Sequence, residues 1–402
     1  MKSLYVLKKE TFIIILSAIW LSLPTLSFAL PNSDFTHTEQ GIAYPKPNYG
    51  ISTQRALIEK GEYLAKAGDC IACHTDTQHN GTPFAGGLGI KTSVGTLYTP
   101  NITPDKDTGI GNWTDEQFLK AMQQGIKPNG SYYFPAFPYP YFTKINRTDL
   151  LAIKAYLFSL KPIHQTVPAN APLFRWHFLA LGWRFLFFHS GEYRYEPHQS
   201  AEWNRGAYLV QGPGHCGMCH TPINFMGAAK EEYFLKGSIV DHYYAPAITS
   251  DALKNYTVEQ IAAVFAKDKL LTGGPVKGPM AEVNNNSLKY MSPDDLRAIA
   301  SYLKTVKSKL APRKPNKLGS DTGKKIYTSY CATCHNTGAA GAPKIGDTAA
   351  WIPRSKQGTN IILQHTINGI GSMPPKGNCV SCSDQEIQAT VEYMLEHSIT
   401  TQ

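Results

Sequence analysis

Three short strings restrict what this chain can fold around: Cys70-Ile-Ala-Cys73-His74, Cys216-Gly-Met-Cys219-His220 and Cys331-Ala-Thr-Cys334-His335. A pair of cysteines separated by two residues and followed directly by histidine is the covalent haem-attachment signal. Both thiols form thioethers and the adjacent histidine ligates the iron. One match alone also fits a zinc or redox Cys-x-x-Cys. Three matches, each with its histidine, argue against both alternatives. The sequence therefore predicts three haem c groups, with His74, His220 and His335 as iron ligands.

The surroundings repeat as well. GEYLAKAGDCIACH, GAYLVQGPGHCGMCH and GKKIYTSYCATCH each bring a glycine, an aromatic residue and a short helix into the motif. Downstream, each unit closes on an amphipathic helix: RTDLLAIKAYLFSL with Thr148 as the expected cap, SPDDLRAIASYLKTV with Ser292, and SDQEIQATVEYMLEH with Ser383. Tyr156, Tyr302 and Tyr393 take equivalent places in these helices. A glycine on each first helix lets the last helix approach closely. The expected fold is all-α, with three tandem units resembling class I cytochrome c. The expected boundaries are 51–165, 201–308 and 319–400, joined by an aromatic linker at 166–200 and a second linker at 309–318.

A histidine on one face leaves the opposite face of the iron to fill, and methionine is the usual partner in electron-transfer cytochromes. Met280 in GGPVKGPMAEV and Met373 in GIGSMPPKG lie in Gly/Pro loops between helices, which suits ligation better than core filling. The first unit aligns internally with the second. YTPNITPDKDTGIGNWTDEQFLKAM matches YAPAITSDALKNYTVEQIAAVF, each helix opening on a Thr-x-x-Gln capping box at Thr114 and Thr257. Phe137 then follows Thr114 at the interval that separates Met280 from Thr257. It sits in the apolar loop SYYFPAFPYPYF and has no lone pair for iron. Haem 1 is thus expected to have a distal wall without its ligand. Met122 reads as a core position, His79 lies on the proximal side, and Tyr133 and Tyr139 read as packing aromatics. An open or water-bound iron and an unanticipated protein ligand both stay open.

NITPDKDTGIGNWTDEQF, FPAFPYP, SAEWNRGAYLVQGPGHCGMCHTP and KGPMAEVNNNSLKYMSPDDLRAIASYLKTV resemble the triheme cytochrome c subunit of membrane-bound alcohol dehydrogenases. The cytochrome subunits of gluconate and other polyol dehydrogenases are similar. The resemblance covers roughly residues 40–308. It implies electron transfer from a periplasmic dehydrogenase subunit to quinone or a downstream cytochrome or oxidase, at the membrane face. It also implies a methionine where this chain has Phe137. The third unit differs: MPPKGNCVSCSDQEI resembles short class I cytochromes with a disulfide beside the methionine loop, which implies a Cys379–Cys382 bridge.

Lys2, Lys8 and Lys9 precede an apolar run ending in Ser27-Phe28-Ala29, the pattern of an export signal over residues 1–29. An uncleaved anchor over Thr11 to Leu30 is the rival reading. Either places the chain in the periplasm. The formal charge of +9 is spread without long Lys/Arg runs, so nucleic acid is not an expected partner. Pro172 to Phe188 is strongly apolar yet carries Arg175 and Arg184. It fits either a membrane-surface or partner-docking segment, or a helix buried between units.

No nucleophile–base constellation stands out, so the chain reads as the electron-transfer subunit of an oxidoreductase complex. The competing reading is a haem enzyme, peroxidase-like or acting on an inorganic substrate at an open haem 1.

Overall fold

The computed structural model describes residues 41–50, 52–92, 95–224, 226–240, 243–271, 275–307, 320–355, 359–379 and 381–399. The expected export segment at 1–29 and the second linker at 309–318 lie outside the described residues.

Unit 1 contains α1 (Ser52–Ala67), the attachment turn α2 (Cys70–Cys73), α3 (Asp115–Gln124), the short α4 (Tyr139–Phe142) and α5 (Arg147–Ser159). The linker helix α6 (His177–Phe187) follows. Unit 2 repeats the order with α7 (Ala201–Gln211), α8 (Gly217–His220), α9 (Val258–Lys267), α10 (Pro279–Asn286) and α11 (Pro293–Leu303). Unit 3 has α12 (Ser320–Ile326), α13 (Ala332–His335), α14 (Thr348–Ser355), α15 (Thr359–Asn368) and α16 (Asp384–Glu396). Among the described residues, extended structure is confined to isolated bridges and two antiparallel hairpins. The hairpins are β1 (Gly89–Thr92) with β2 (Gly95–Tyr98), and β3 (Ser238–Val240) with β4 (Tyr243–Ala245). The fold is helix-rich rather than wholly helical.

In each unit the first and last helices cross at a glycine. A Cβ on Gly61 would lie 1.8 Å from the Ala152 carbonyl oxygen, one on Gly206 1.8 Å from that of Ala298, and one on Gly323 2.3 Å from that of Ala389. These distances exclude any side chain, so the crossing depends on glycine at all three positions. Tyr156 and Tyr302 are buried on the last helices beside these crossings.

The capping boxes at Thr114–Gln117, Thr257–Gln260 and Ser383–Glu386 are formed, and Ser292 caps α11 with Pro293 in its first turn. Helix α5 differs from expectation. Asn146 is its cap, accepting from the Asp149 amide at 2.8 Å, and the Thr148 hydroxyl donates to Asn146 Oδ1 instead. Both residue types can cap, and the earlier one adds a half-turn to the helix.

Units 1 and 2 share one continuous core, from Ile58 through Leu150 and Leu209 to Val306. Unit 3 has its own smaller cores around Tyr327, Trp351 and Val391, and around Ile326, Cys379 and Ile387. The linker helix α6 has one packed side and one exposed side. Ala180 and Trp183 are buried, with Trp183 6.4 Å from Tyr139 of the unit 1 loop and its indole N–H donating to the Met226 carbonyl. Phe178, Leu181, Phe185 and Leu186 are exposed on the other side. No helix among the described residues is long and apolar enough to cross a membrane.

Candidate functional site

All three attachment motifs sit on single helical turns, which hold each histidine next to its cysteines. In each, the histidine Nδ1 meets a proline carbonyl: His74 to Pro100 at 2.8 Å, His220 to Pro246 at 2.7 Å and His335 to Pro343 at 2.8 Å. A carbonyl can only accept, so Nδ1 carries the proton and donates. The lone pair is left on Nε2, where it is available to a metal, and the Nδ1 bond fixes the ring orientation. Burial pushes the His74 and His220 imidazoles down from their ordinary value, which favours the neutral, ligating form.

The six motif cysteines form no disulfide. Burial pushes the Cys70, Cys73 and Cys216 thiols up to about 12 and Cys331 up to about 11. A redox Cys-x-x-Cys needs a lowered thiol, so the raised Cys70, Cys216 and Cys331 thiols oppose that alternative. Cys379 and Cys382 are joined by a disulfide, with Cα atoms 5.4 Å apart.

Met280 is the second residue of α10 and packs half-buried on the shared core. Met373 lies between α15 and α16, its backbone paired with Ile370 at 2.9 and 3.0 Å. The register of the first unit can be read from two bridges: Ile126 pairs with Tyr132 where Lys269 pairs with Pro275. Carried forward, that register sets Phe137 at the place of Met280. The Phe137 ring contacts Tyr133 at 5.2 Å and Phe142 at 5.8 Å. Met122 is buried in the last turn of α3, and His79 is exposed with Nδ1 on Asp76.

Units 1 and 2 interlock through these segments. Helix α10 packs on the α2 turn, and the Tyr141 ring of unit 1 covers Gly217 on the α8 turn, 3.0 Å from where a Cβ would stand. Phe142 meets His215, the residue before Cys216, at 5.6 Å. Sequence reasoning missed a second pair of contacts: the Tyr63 hydroxyl with Asp295 at 2.5 Å and the Tyr208 hydroxyl with Asp149 at 2.6 Å. Both tyrosines follow the crossing glycine by two residues. Both aspartates stand three residues after a helix cap, so the two contacts occupy equivalent places in the repeat, which does not by itself say that they meet.

Residues 58–161 match the cytochrome c family profile, and residues 320–394 match that of cytochrome c oxidase, cbb3-type, subunit III. The chain is 35% identical over 380 residues to the cytochrome c subunit of alcohol dehydrogenase (quinone) from Gluconobacter oxydans, covering 84% of this chain and 78% of that protein. It is 35% identical to the gluconate 2-dehydrogenase cytochrome c subunit of Pantoea cypripedii, covering 74% and 73%. It is also 39% identical to a nicotinate dehydrogenase subunit from Pseudomonas putida over 71% of this chain, which spans only 25% of that protein. On this similarity and on the attachment geometry, the chain belongs to the family of electron-relaying cytochrome c subunits of alcohol and gluconate dehydrogenases.

Proposed function

We propose that the chain carries three haems c and passes single electrons from a periplasmic dehydrogenase subunit, of alcohol, gluconate or polyol type, to quinone or a downstream cytochrome or oxidase. The carrying observation is the threefold recurrence of a histidine with Nδ1 on a proline carbonyl and Nε2 left for iron. Each stands beside two thiols outside any disulfide, at least one of them held un-ionised by burial. Bound haem supplies the one-electron iron couple. The chain's own residues attach and orient it: Cys70, Cys73 and His74 in unit 1, Cys216, Cys219 and His220 in unit 2, and Cys331, Cys334 and His335 in unit 3. Met280 and Met373 offer thioethers to the second and third sites, while Phe137 leaves the first without a distal protein ligand. Methionine favours the reduced iron, so the first site differs in kind from the other two.

The shared core of units 1 and 2 makes them one electron-carrying body, and unit 3 with its separate cores is the part suited to meeting another acceptor. The exposed apolar side of α6 fits the membrane surface. A helix of 11 residues is about 16 Å long, enough to lie in the interface and too short to span it.

Mixing the oxidised chain anaerobically with an alcohol or gluconate dehydrogenase catalytic subunit and its substrate tests the relay. Reduction of the haem bands is expected. Bands that stay oxidised with each dehydrogenase, together with steady turnover of peroxide, would instead support the haem-enzyme reading.

A further inference from the structure

We propose that Lys376 is a positioning residue for the third haem: it holds the Met373 loop against the unit 3 attachment turn and so keeps the Met373 thioether on the iron. The inference rests on the reading of Met373 as the distal ligand of that haem, and it adds what fixes the ligand in place.

The loop is anchored on both sides of Met373. After it, the turn Pro375–Asn378 packs on the segment Tyr327–Cys331 that leads into the attachment turn. A Cβ on Gly377 would lie 3.8 Å from Cys331 Sγ, a sulfur that takes the haem. The Gly377 amide also donates to the carbonyl of Pro374, next to Met373, at 3.0 Å. Before it, Met373 exchanges backbone hydrogen bonds with Ile370 at 2.9 and 3.0 Å. A Cβ on Gly369 would lie 2.6 Å from the Met373 carbonyl oxygen, so the chain closes tightly there.

The residue at 376 is the one the backbone does not explain. Lys376, Gly377 and Asn378 are all left-handed, with φ of 53°, 58° and 70°. Glycine adopts that conformation freely and lysine does not, so the turn by itself favours glycine at 376. The side chain supplies the reason for lysine. Its Nζ donates to the Cys382 carbonyl at 2.9 Å and pairs with Asp384 Oδ1 at 2.9 Å, in the first turn of α16. A charge-assisted hydrogen bond is stronger than a neutral one, and the Lys376 side chain is only 24% exposed, so water screens it less than an open surface pair. The Cys379–Cys382 disulfide closes the neighbouring segment. It begins beyond Asn378, and the turn that touches Cys331 is left to the lysine.

The test is the red charge-transfer absorption of methionine-ligated ferric haem, recorded on the full-length holoprotein together with its melting temperature. Met373→Leu sets the share of the band that belongs to unit 3. Lys376→Gly should lose most of that share and lower the unit 3 reduction potential, with a melting temperature no lower than wild type, because the left-handed strain is gone. Lys376→Arg should keep the band. Asp384→Asn, which leaves the turn untouched, should lose part of the share. A full band in Lys376→Gly would overturn the inference even if the potential moves, since a charge acting on the iron through space shifts the potential and leaves the band. Loss of the band from Lys376→Arg as well, or a melting temperature that falls with the band in Lys376→Gly, marks a general packing role and would also overturn it. A band unchanged in Met373→Leu would overturn instead the reading of Met373 as a ligand.

Discussion

The Tyr208 hydroxyl of unit 2 donates to Asp149 of unit 1 at 2.6 Å. The repeat returns the same bond in reverse, from Tyr63 of unit 1 to Asp295 of unit 2 at 2.5 Å. Each aspartate also has a cation from the first helix of its own unit, Lys60 at 2.6 Å for Asp149 and Arg205 at 2.7 Å for Asp295. The result is a pseudo-twofold clasp in which each first helix holds the capped end of the other unit's last helix. Hydrogen bonds to a charged group contribute about 1.5–3 kcal/mol each. Tyr63→Phe or Tyr208→Phe should therefore cost about 1–2 kcal/mol, since the cation remains. The double variant should cost at least the sum, measured by denaturant unfolding of the holoprotein. Unit 3, with its own core, should unfold at an unchanged midpoint.

Asp295 gives the clasp a pH dependence. Burial by itself would raise its carboxyl, but the hydrogen bonds from Arg205 and Tyr63 outweigh burial and hold it below the ordinary 3.8. A lowered folded-state value stabilises the protein above the unfolded value and loses that contribution as pH falls through the folded one. The stability gap between wild type and Asp295→Asn should thus be widest at neutral pH and close as pH falls below the ordinary 3.8 and through the lowered folded-state value. Unfolding curves across that range are the measurement.

The glycine crossings are unforgiving. Gly206→Ala puts a methyl group where only 1.8 Å separates it from a backbone oxygen, so the helices must move apart. Overpacking of this kind costs about 1–3 kcal/mol or more. The expected outcome is a lower melting temperature and a shifted potential for the second haem, read by spectroelectrochemical titration, with the unit 3 haem unaltered.

Helix α6 predicts a surface effect without a folding effect. Phe178 and Leu186 are 65% and 44% exposed, so Phe178→Asp with Leu186→Asp should leave the melting temperature within a degree or two and weaken sedimentation with anionic lipid vesicles several-fold. Unchanged sedimentation would remove α6 from the membrane-binding surface.

Features set by neighbouring residues were legible before the structure. The attachment turns, the capping boxes at Thr114, Thr257 and Ser383, and the crossing glycines each follow from a few adjacent side chains. The cap of α5 was not, because Asn146 and Thr148 both satisfy the chemistry and only the path of the preceding loop separates them. The clasp was hidden for a different reason: Tyr63 and Asp295 lie 232 residues apart, and no local pattern announces their meeting. Helix α6 is apolar on both faces, so its periodicity could not tell the packed side, Ala180 and Trp183, from the exposed one. The Phe137 position fell between these cases, legible only because the chain contains its own second copy of the loop.

An electron relay of this kind requires each of the three attachment turns to hold a haem. The mass of the intact, denatured chain measures this directly, because thioether-bound haem survives denaturation. Three covalent haems per chain, with loss of one in each of the Cys73→Ser, Cys219→Ser and Cys334→Ser variants taken together with their partner cysteines, is the predicted result. A chain with two haems, or one whose motif thiols remain free to alkylate, would contradict it.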